Sequence, residues 1–294
     1  SIKVTVIAFA RSVYEMIYSN YLQGVKRDGI TYSFIEKEHL GYSKQKEFLE
    51  NYYNVFHKRF LLVNYDSVSE DVFSSFSSCI GFNSDKLVLI DKKVNRNLTF
   101  IETQVLLDMN KIHKGIFSKE ISTYLIDNEP QKITAVLYEK KLIDNARLNS
   151  SSDLKWINET IKPIGGDIKI SREEDPVTKE LKEDYYTIID SVIKWCFQYG
   201  NENNLPEFAE FLRDFAVYLE NHSISNSLVL MEKANSIRPH GPFIQKKVAE
   251  YKELILMENN NSLKKGKVLN RNIFYQHIAK AGGTSINNYF SNIY

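Results

Sequence analysis

Apolar residues follow two different periodicities along this chain. Near its start, Lys3-Val4-Thr5-Val6-Ile7-Ala8-Phe9-Ala10 is a short β-branched run, the pattern of a buried strand. Arg11-Ser12 ends the run. Ser12 and Glu15 have capping-box spacing, which predicts a helix over 13–23 with Gly24 as its stop. A strand feeding directly into a helix is the first half of a βα unit. Phe60-Leu61-Leu62-Val63-Asn64-Tyr65 is a second buried strand. The right-handed crossover rule makes the two runs parallel neighbours with the helix packed across them. Further helices are predicted over 42–57, 68–80 and, most clearly, 99–110.

Beyond residue 118 the pattern changes. Asn149-Ser150-Ser151-Ser152-Asp153 reads as a loop, and Pro163, Gly165 and Gly166 interrupt regular structure. From 178 onward the period is helical, with Tyr185, Ile188, Ile189, Val192 and Trp195 on one face. Pro206 separates that helix from three more, over 207–220, 225–237 and 241–258. Tyr218, Ser227, Met231, Ala234 and Pro239 have the relative spacings of a tetratricopeptide repeat, in which small residues let two helices approach and proline ends the second. Ala249 falls on the next small position. Asp214 and Phe215 depart from the repeat's leucine and glycine, and three clear copies are not present. A polar linker follows at 259–267. Asn272-Ile273-Phe274-Tyr275-Gln276-His277-Ile278 then reads as a strand that enters a glycine-rich turn and a further helix.

The fold class expected is α/β, a partial P-loop-type parallel sheet with flanking helices, followed by an all-α segment. The expected divisions are 1–150 (α/β), 151–258 (helical), 259–267 (linker) and 268–294 (the start of a second α/β unit). Composition narrows the function classes. Hydrophobic residues are 43% and charged residues 26%, which excludes bulk disorder. Thirty-eight basic against 37 acidic residues leave +1, so no strong field favours nucleic acid or an anionic membrane. Two cysteines exclude a disulfide framework. No apolar run has the length of a membrane span, and no secretory leader pattern opens the chain, so a cytoplasmic location is expected.

The most specific chemical signal is His277-Ile278-Ala279-Lys280-Ala281-Gly282-Gly283-Thr284-Ser285-Ile286. Glycines between a strand and a helix bring backbone N–H groups close to an anion, and the helix N-terminus adds partial positive charge. Thr284 and Ser285 supply hydroxyls and Lys280 a full charge, a combination suited to phosphate or sulfate. The nucleotide-kinase loop, by contrast, places its lysine after the last glycine; here Lys280 precedes both. An ordinary glycine turn with a solvated lysine is the simpler structural alternative.

This string resembles the 5′-phosphosulfate-binding loop of sulfotransferases, whose carbohydrate branch reads His-Ile-Pro-Lys-Thr/Ala-Gly-Gly-Thr-Ser-Leu. Ala279 replaces the proline. The resemblance implies that Lys280 contacts the sulfuryl group and bridging oxygen of 3′-phosphoadenosine 5′-phosphosulfate. It also implies that the amides of Ala281, Gly282, Gly283 and Thr284, with the Thr284 and Ser285 hydroxyls, hold the 5′-phosphate. Sulfotransferases bind the 3′-phosphate with an arginine at a strand end and a serine eight residues later, and Arg11 and Ser19 have that spacing. The segment 61–68 resembles the family's strand ending in Tyr-Glu-Asp-Leu, with Asp66 near the acidic position. Val94-Asn95-Arg96-Asn97-Leu98-Thr99 resembles the Asn-x-Ser-Leu element of bacterial members, with Asn95 and Arg96 either further candidates for the phosphate or, as an equal alternative, part of an ordinary turn before a helix.

The order of these elements is reversed relative to the family, in which the 5′-loop comes first. Two incomplete modules, one ending near 150 and one beginning near 268, are the simplest account; a permuted single module is the alternative. The leading reading is a sulfotransferase fragment that moves a sulfuryl group to a hydroxyl, on a saccharide or other acceptor. It is expected to be inactive by itself for want of a complete site. The other reading is a non-catalytic helical-repeat protein that binds a protein partner beside a degenerate α/β scaffold. The catalytic base is unassigned: Glu38, His39, His57 and His113 are present, but an ordinary surface or satisfied histidine is the simpler account of each. No Cys/His spacing points to a metal.

Overall fold

The computed structural model describes residues 4–36, 45–82, 96–130, 132, 136–172, 184–202 and 205–265. β1 (Val6–Ala10) and β2 (Phe60–Asn64) pair in parallel, with Val6 opposite Phe60 and Ala10 opposite Asn64. A parallel pair needs a crossover, here α1 (Val13–Arg27) and α2 (Gln45–Phe56). On the far side of β2, Ile164 adds one parallel bridge to Val63. An α/β start followed by helices is therefore present, and the described sheet is small.

The ends of α1 differ from those predicted. Ser12 makes no side-chain cap, because its hydroxyl is used elsewhere. The carbonyls of Lys169 and Ile170 instead accept from the amides of Val13 (3.1 Å) and Tyr14 (2.8 Å). Gly24 does not stop the helix: it lies inside it, with the tip of the Ile30 side chain packed against its Cα. The helix buries Val13, Tyr14, Ile17, Tyr18, Tyr21, Leu22 and Val25 as one apolar face.

The helix predicted over 68–80 is two pieces, α3 (Tyr65–Val68) and α4 (Val72–Cys79). Asp71 divides them by capping α4 through the Ser74 amide at 2.9 Å. α5 (Phe100–His113) starts on a true capping box, Thr99 with Glu102. The same Glu102 takes both terminal nitrogens of Arg96 at 2.7 and 2.9 Å, with both side chains 1% exposed. Arg96 also donates to the carbonyls of Asn97, Leu125 and Glu129. These buried bonds use every nitrogen of Arg96, so it is a structural cation and not the phosphate contact its sequence neighbourhood proposed. Asn95 lies outside the described residues.

α6 (Ser118–Asn128) and α7 (Lys140–Trp156) follow, and α7 ends in a π turn (Ile157–Ile161). The loop expected at 149–153 is helix. Leu142, Ile143, Ala146, Ser150 and Leu154 form a buried stripe, and its packing outweighs the weak propensity of the serine run. The expected division at 150 thus falls inside α7. Gly165, in the following turn, has φ +90° and faces Ser67 so closely that no side chain fits.

The remaining helices are α8 (Tyr185–Glu202), α9 (Pro206–Leu219), α10 (Ile224–Ile237) and α11 (Pro242–Lys265). Ser227, Met231 and Ala234 are fully buried where α10 packs on its neighbours, as the small–bulky–small pattern requires. Ala249 is exposed. The linker expected from 259 is helical as far as Lys265. No helix among the described residues is long and apolar enough to cross a membrane.

One hydrophobic core runs from Ala10 to Tyr251. The Phe117 ring joins its halves, with ring centroids 6.0 Å from Trp195, 5.5 Å from Phe208 and 5.2 Å from Phe211. Asp108 on α5 accepts from the hydroxyls of Tyr185 (2.7 Å) and Tyr218 (3.3 Å), which are 2.8 Å apart.

This core is rich in buried phenols, and it carries a pH signature. Burial pushes Tyr18 from 10.0 up to about 12, and it holds Tyr14, Tyr21, Tyr185 and Tyr251 well above the usual tyrosine range. The folded chain keeps these protons where the unfolded chain releases them. Their contribution to stability is complete below pH 10 and falls as pH rises through about 10 to 12. Urea denaturation at pH 8, 10 and 11 should show a falling midpoint, with part of the tyrosinate absorbance emerging only on unfolding.

Candidate functional site

β1 and β2 end side by side, and in open parallel sheets the crevice beyond the strand ends is where ligands bind. The chain leaves β1 as Arg11-Ser12 and β2 as Tyr65-Asp66. Asp66 Oδ2 accepts from both the Ser12 amide (2.6 Å) and the Ser12 hydroxyl (2.5 Å). Asp66 Oδ1 faces two guanidinium groups, Arg11 Nε at 3.8 Å and Arg172 Nε at 3.6 Å, both beyond hydrogen-bond distance. The Arg11 guanidinium also lies over the Tyr65 ring, 5.6 Å from its centroid. Gln45 donates to the Arg11 carbonyl at 3.2 Å and to the Met16 sulfur at 2.9 Å.

Glu15 lies in the first turn of α1, 1% exposed. Its Oε1 accepts from Tyr138 Oη (2.9 Å), Ser171 Oγ (3.4 Å) and the Arg172 amide (2.9 Å). The segment 164–172 therefore closes over the strand ends. Ile164 pairs with β2, Lys169 and Ile170 cap α1, and Arg172 reaches Asp66.

This network is only partly satisfied. Seven buried side-chain polar atoms among the described residues have no hydrogen-bond partner. Three of them gather here: Arg11 Nε, Glu15 Oε2 and Asp66 Oδ1. Native interiors satisfy nearly all such atoms, and a concentration of exceptions marks a place where a further polar partner has chemistry to engage.

Of the residues singled out from sequence, Arg11 is in this cluster. Ser19 is half-buried on α1, on the stripe of Ser12 and Met16, and makes no hydrogen bond to Arg11. Lys280, Ala281, Gly282, Gly283, Thr284 and Ser285 lie outside the described residues, and so does any measure of their distance from Arg11. Glu38 and His39 lie outside them too. His113 is held in aromatic packing, its ring stacked on Phe117 and its Nδ1 3.4 Å from Asp214. His57 opens a short 3₁₀ turn next to Tyr53. No group of three or more metal-ligating side chains occurs among the described residues.

Arg172, Glu15 and Gln45 were not visible as site residues in the sequence. Glu15 carried a signal that pointed elsewhere, its capping-box spacing from Ser12. Arg172 carried none, since only the fold of segment 164–172 brings it to Asp66. No family model, no curated protein and no solved structure matches this chain.

The Glu15 contacts generate a stability test. Glu15→Ala strands three donors, two of them within 2.9 Å, and should cost about 2 to 4 kcal/mol. Glu15→Gln retains an accepting oxygen and should cost about 1 kcal/mol or less. Urea unfolding of the two variants beside the native chain reads the difference.

Proposed function

We propose that this chain carries the 3′-phosphate half-site of a sulfotransferase that moves a sulfuryl group from 3′-phosphoadenosine 5′-phosphosulfate to a hydroxyl acceptor, a saccharide being the leading class. The observation that carries the reading is Arg11. It leaves the end of a parallel strand, opens the crossover helix, and keeps a buried Nε without a hydrogen bond. A phosphate oxygen is a matching acceptor, and a charge-assisted bond there is stronger than a neutral one. β1 adds support: among the described residues it pairs on one side only, and Val6, Ile7, Ala8 and Phe9 are half-exposed, as in a strand of a larger parallel sheet.

The cofactor would supply an activated sulfuryl group, whose bond to the phosphate oxygen breaks as the acceptor oxygen bonds to sulfur. On this reading Arg11, with Ser19 along the same helix, orients the 3′-phosphate. Lys280 stabilises charge on the bridging oxygen, while the amides of 281–284 and the hydroxyls of Thr284 and Ser285 hold the 5′-phosphate. The acceptor proton passes to a base that this chain does not identify.

A second reading, a helical-repeat protein that binds a protein partner, is favoured by the packing of α9, α10 and α11 around Ser227, Met231 and Ala234. Calorimetry with adenosine 3′,5′-bisphosphate separates the two. The sulfotransferase reading expects saturable binding that Arg11→Ala weakens by about 10- to 100-fold, the loss of one charge-assisted bond. Absence of binding, or an unaffected Arg11→Ala, overturns it.

A second measurement addresses Lys280. In a full-length module, Lys280→Ala should lower turnover by on the order of 10²-fold or more while adenosine 3′,5′-bisphosphate still binds. Unchanged turnover would remove Lys280 from the mechanism.

A further inference from the structure

Away from the strand ends, α6 and α8 pack side by side and leave a groove of about 350 Å³ between them. Glu120, Tyr124 and Asp127 recur at helical spacing along the wall from α6, and Trp195, Gln198 and Tyr199 line the wall from α8. The rings of Trp195 and Tyr199 lie 5.1 Å apart and tilted by 32°. Glu120 Oε2 is buried and accepts no hydrogen bond. It is in the first turn of α6, where the helix's partial positive charge attracts an anion. Among the described residues no basic side chain lines the groove: Lys119 and Lys194, the nearest in sequence, are not part of its walls.

We propose that this groove binds a small organic cation through an alkylammonium head. Two kinds of chemistry converge on that class. Aromatic faces attract cations within about 6 Å of the ring centroid, and the half-buried Tyr124 and Tyr199 offer that surface, while Trp195, 4% exposed and held among Phe117, Phe208 and Phe211, backs it from the core. A carboxylate oxygen shielded from water and left unpaired is stabilised by a cationic donor more than by a neutral one. The negative field is felt inside the groove, where the Tyr199 phenol is raised above its usual value by burial and then by the Glu120 charge. A neutral sugar would gain from the rings and from Gln198, but would leave Glu120 Oε2 without a charged partner. The volume lies in the ordinary range of small-ligand sites and accommodates an ammonium head with a short chain. This site is independent of the sulfotransferase reading.

Ligand-observed NMR and calorimetry on the intact chain test it, with choline, n-butylammonium and 3,3-dimethylbutanol as probes. Dimethylbutanol is the uncharged counterpart of choline. The expected result is saturable binding of at least one cation, with dimethylbutanol weaker by about tenfold or more. Tighter choline identifies an aromatic cage, and tighter butylammonium identifies direct donation to Glu120. Glu120→Gln should weaken the cation about tenfold without changing binding of dimethylbutanol. Should that variant fold poorly, Asp127→Asn, exposed at the end of α6, should weaken it in the same direction. Equal binding of the neutral probe, cation binding indifferent to these carboxylates, or no saturable binding of either cation overturns the proposal.

Discussion

The Asp66 carboxylate is the tie on which the α/β part depends. A pair of parallel strands has little stability of its own: the bonds are slanted, the connection is long, and both faces need cover. Here the strand ends are locked by one oxygen that takes two donors from Ser12, next to the β1 exit, while its own residue belongs to the β2 exit. Segment 164–172 adds a second clamp, because its carbonyls replace the missing side-chain cap of α1 and its Ile164 pairs alongside β2. The N-terminus of α1 is consequently not an open anion site. Its first two amides are occupied by protein carbonyls and are not available to an anion.

The helical half is joined to this unit by packing. Phe117 places its ring among Trp195, Phe208 and Phe211, and Asp108 collects two phenols from α8 and α9. A hydroxyl buried without a partner costs on the order of 1–3 kcal/mol, so the shared carboxylate makes the aromatic-rich junction affordable in polar groups as well as apolar area. The two halves share a common core, and α5 contacts α1 as well as α8 and α9.

Local chemistry made part of this legible in the sequence. The two buried runs pair in parallel, the clean 3.6-residue stripe of Ile188, Ile189, Val192 and Trp195 is buried, and Pro206 opens α9. Each of these signals is decided within a few residues. What escaped is decided by partners far along the chain. Ser12 and Glu15 have capping-box spacing, yet Asp66 offers Ser12 a better acceptor, and Tyr138, Ser171 and Arg172 occupy Glu15. Thr99 and Glu102 have the same spacing and do form the box, since the buried Arg96 holds Glu102 in place. Arg96, a candidate for the phosphate, is buried on Glu102, while Arg172, 44% exposed, reaches Asp66 only through the fold of segment 164–172. The serine run at 149–153 is helix and not loop because the buried stripe of α7, which includes Ser150, outweighs the run's weak propensity.

The charge balance at the strand ends sets a condition on any anion that binds there. Arg11 and Arg172 contribute two positive charges, and Asp66 and Glu15 two negative ones, so the cluster offers no net attraction as it stands. Asp66 Oδ1 already occupies the space between the two guanidinium groups, at distances that give Coulomb attraction without a hydrogen bond. An incoming phosphate gains Arg11 by outcompeting that carboxylate, a contest between two loose contacts of 3.6–3.8 Å and short charge-assisted bonds. Geometry favours the phosphate at Arg11 and electrostatics does not, unless a further cation arrives with it. Asp66 thus balances the two guanidinium groups through contacts longer than hydrogen bonds, loosely enough for a stronger acceptor to replace it.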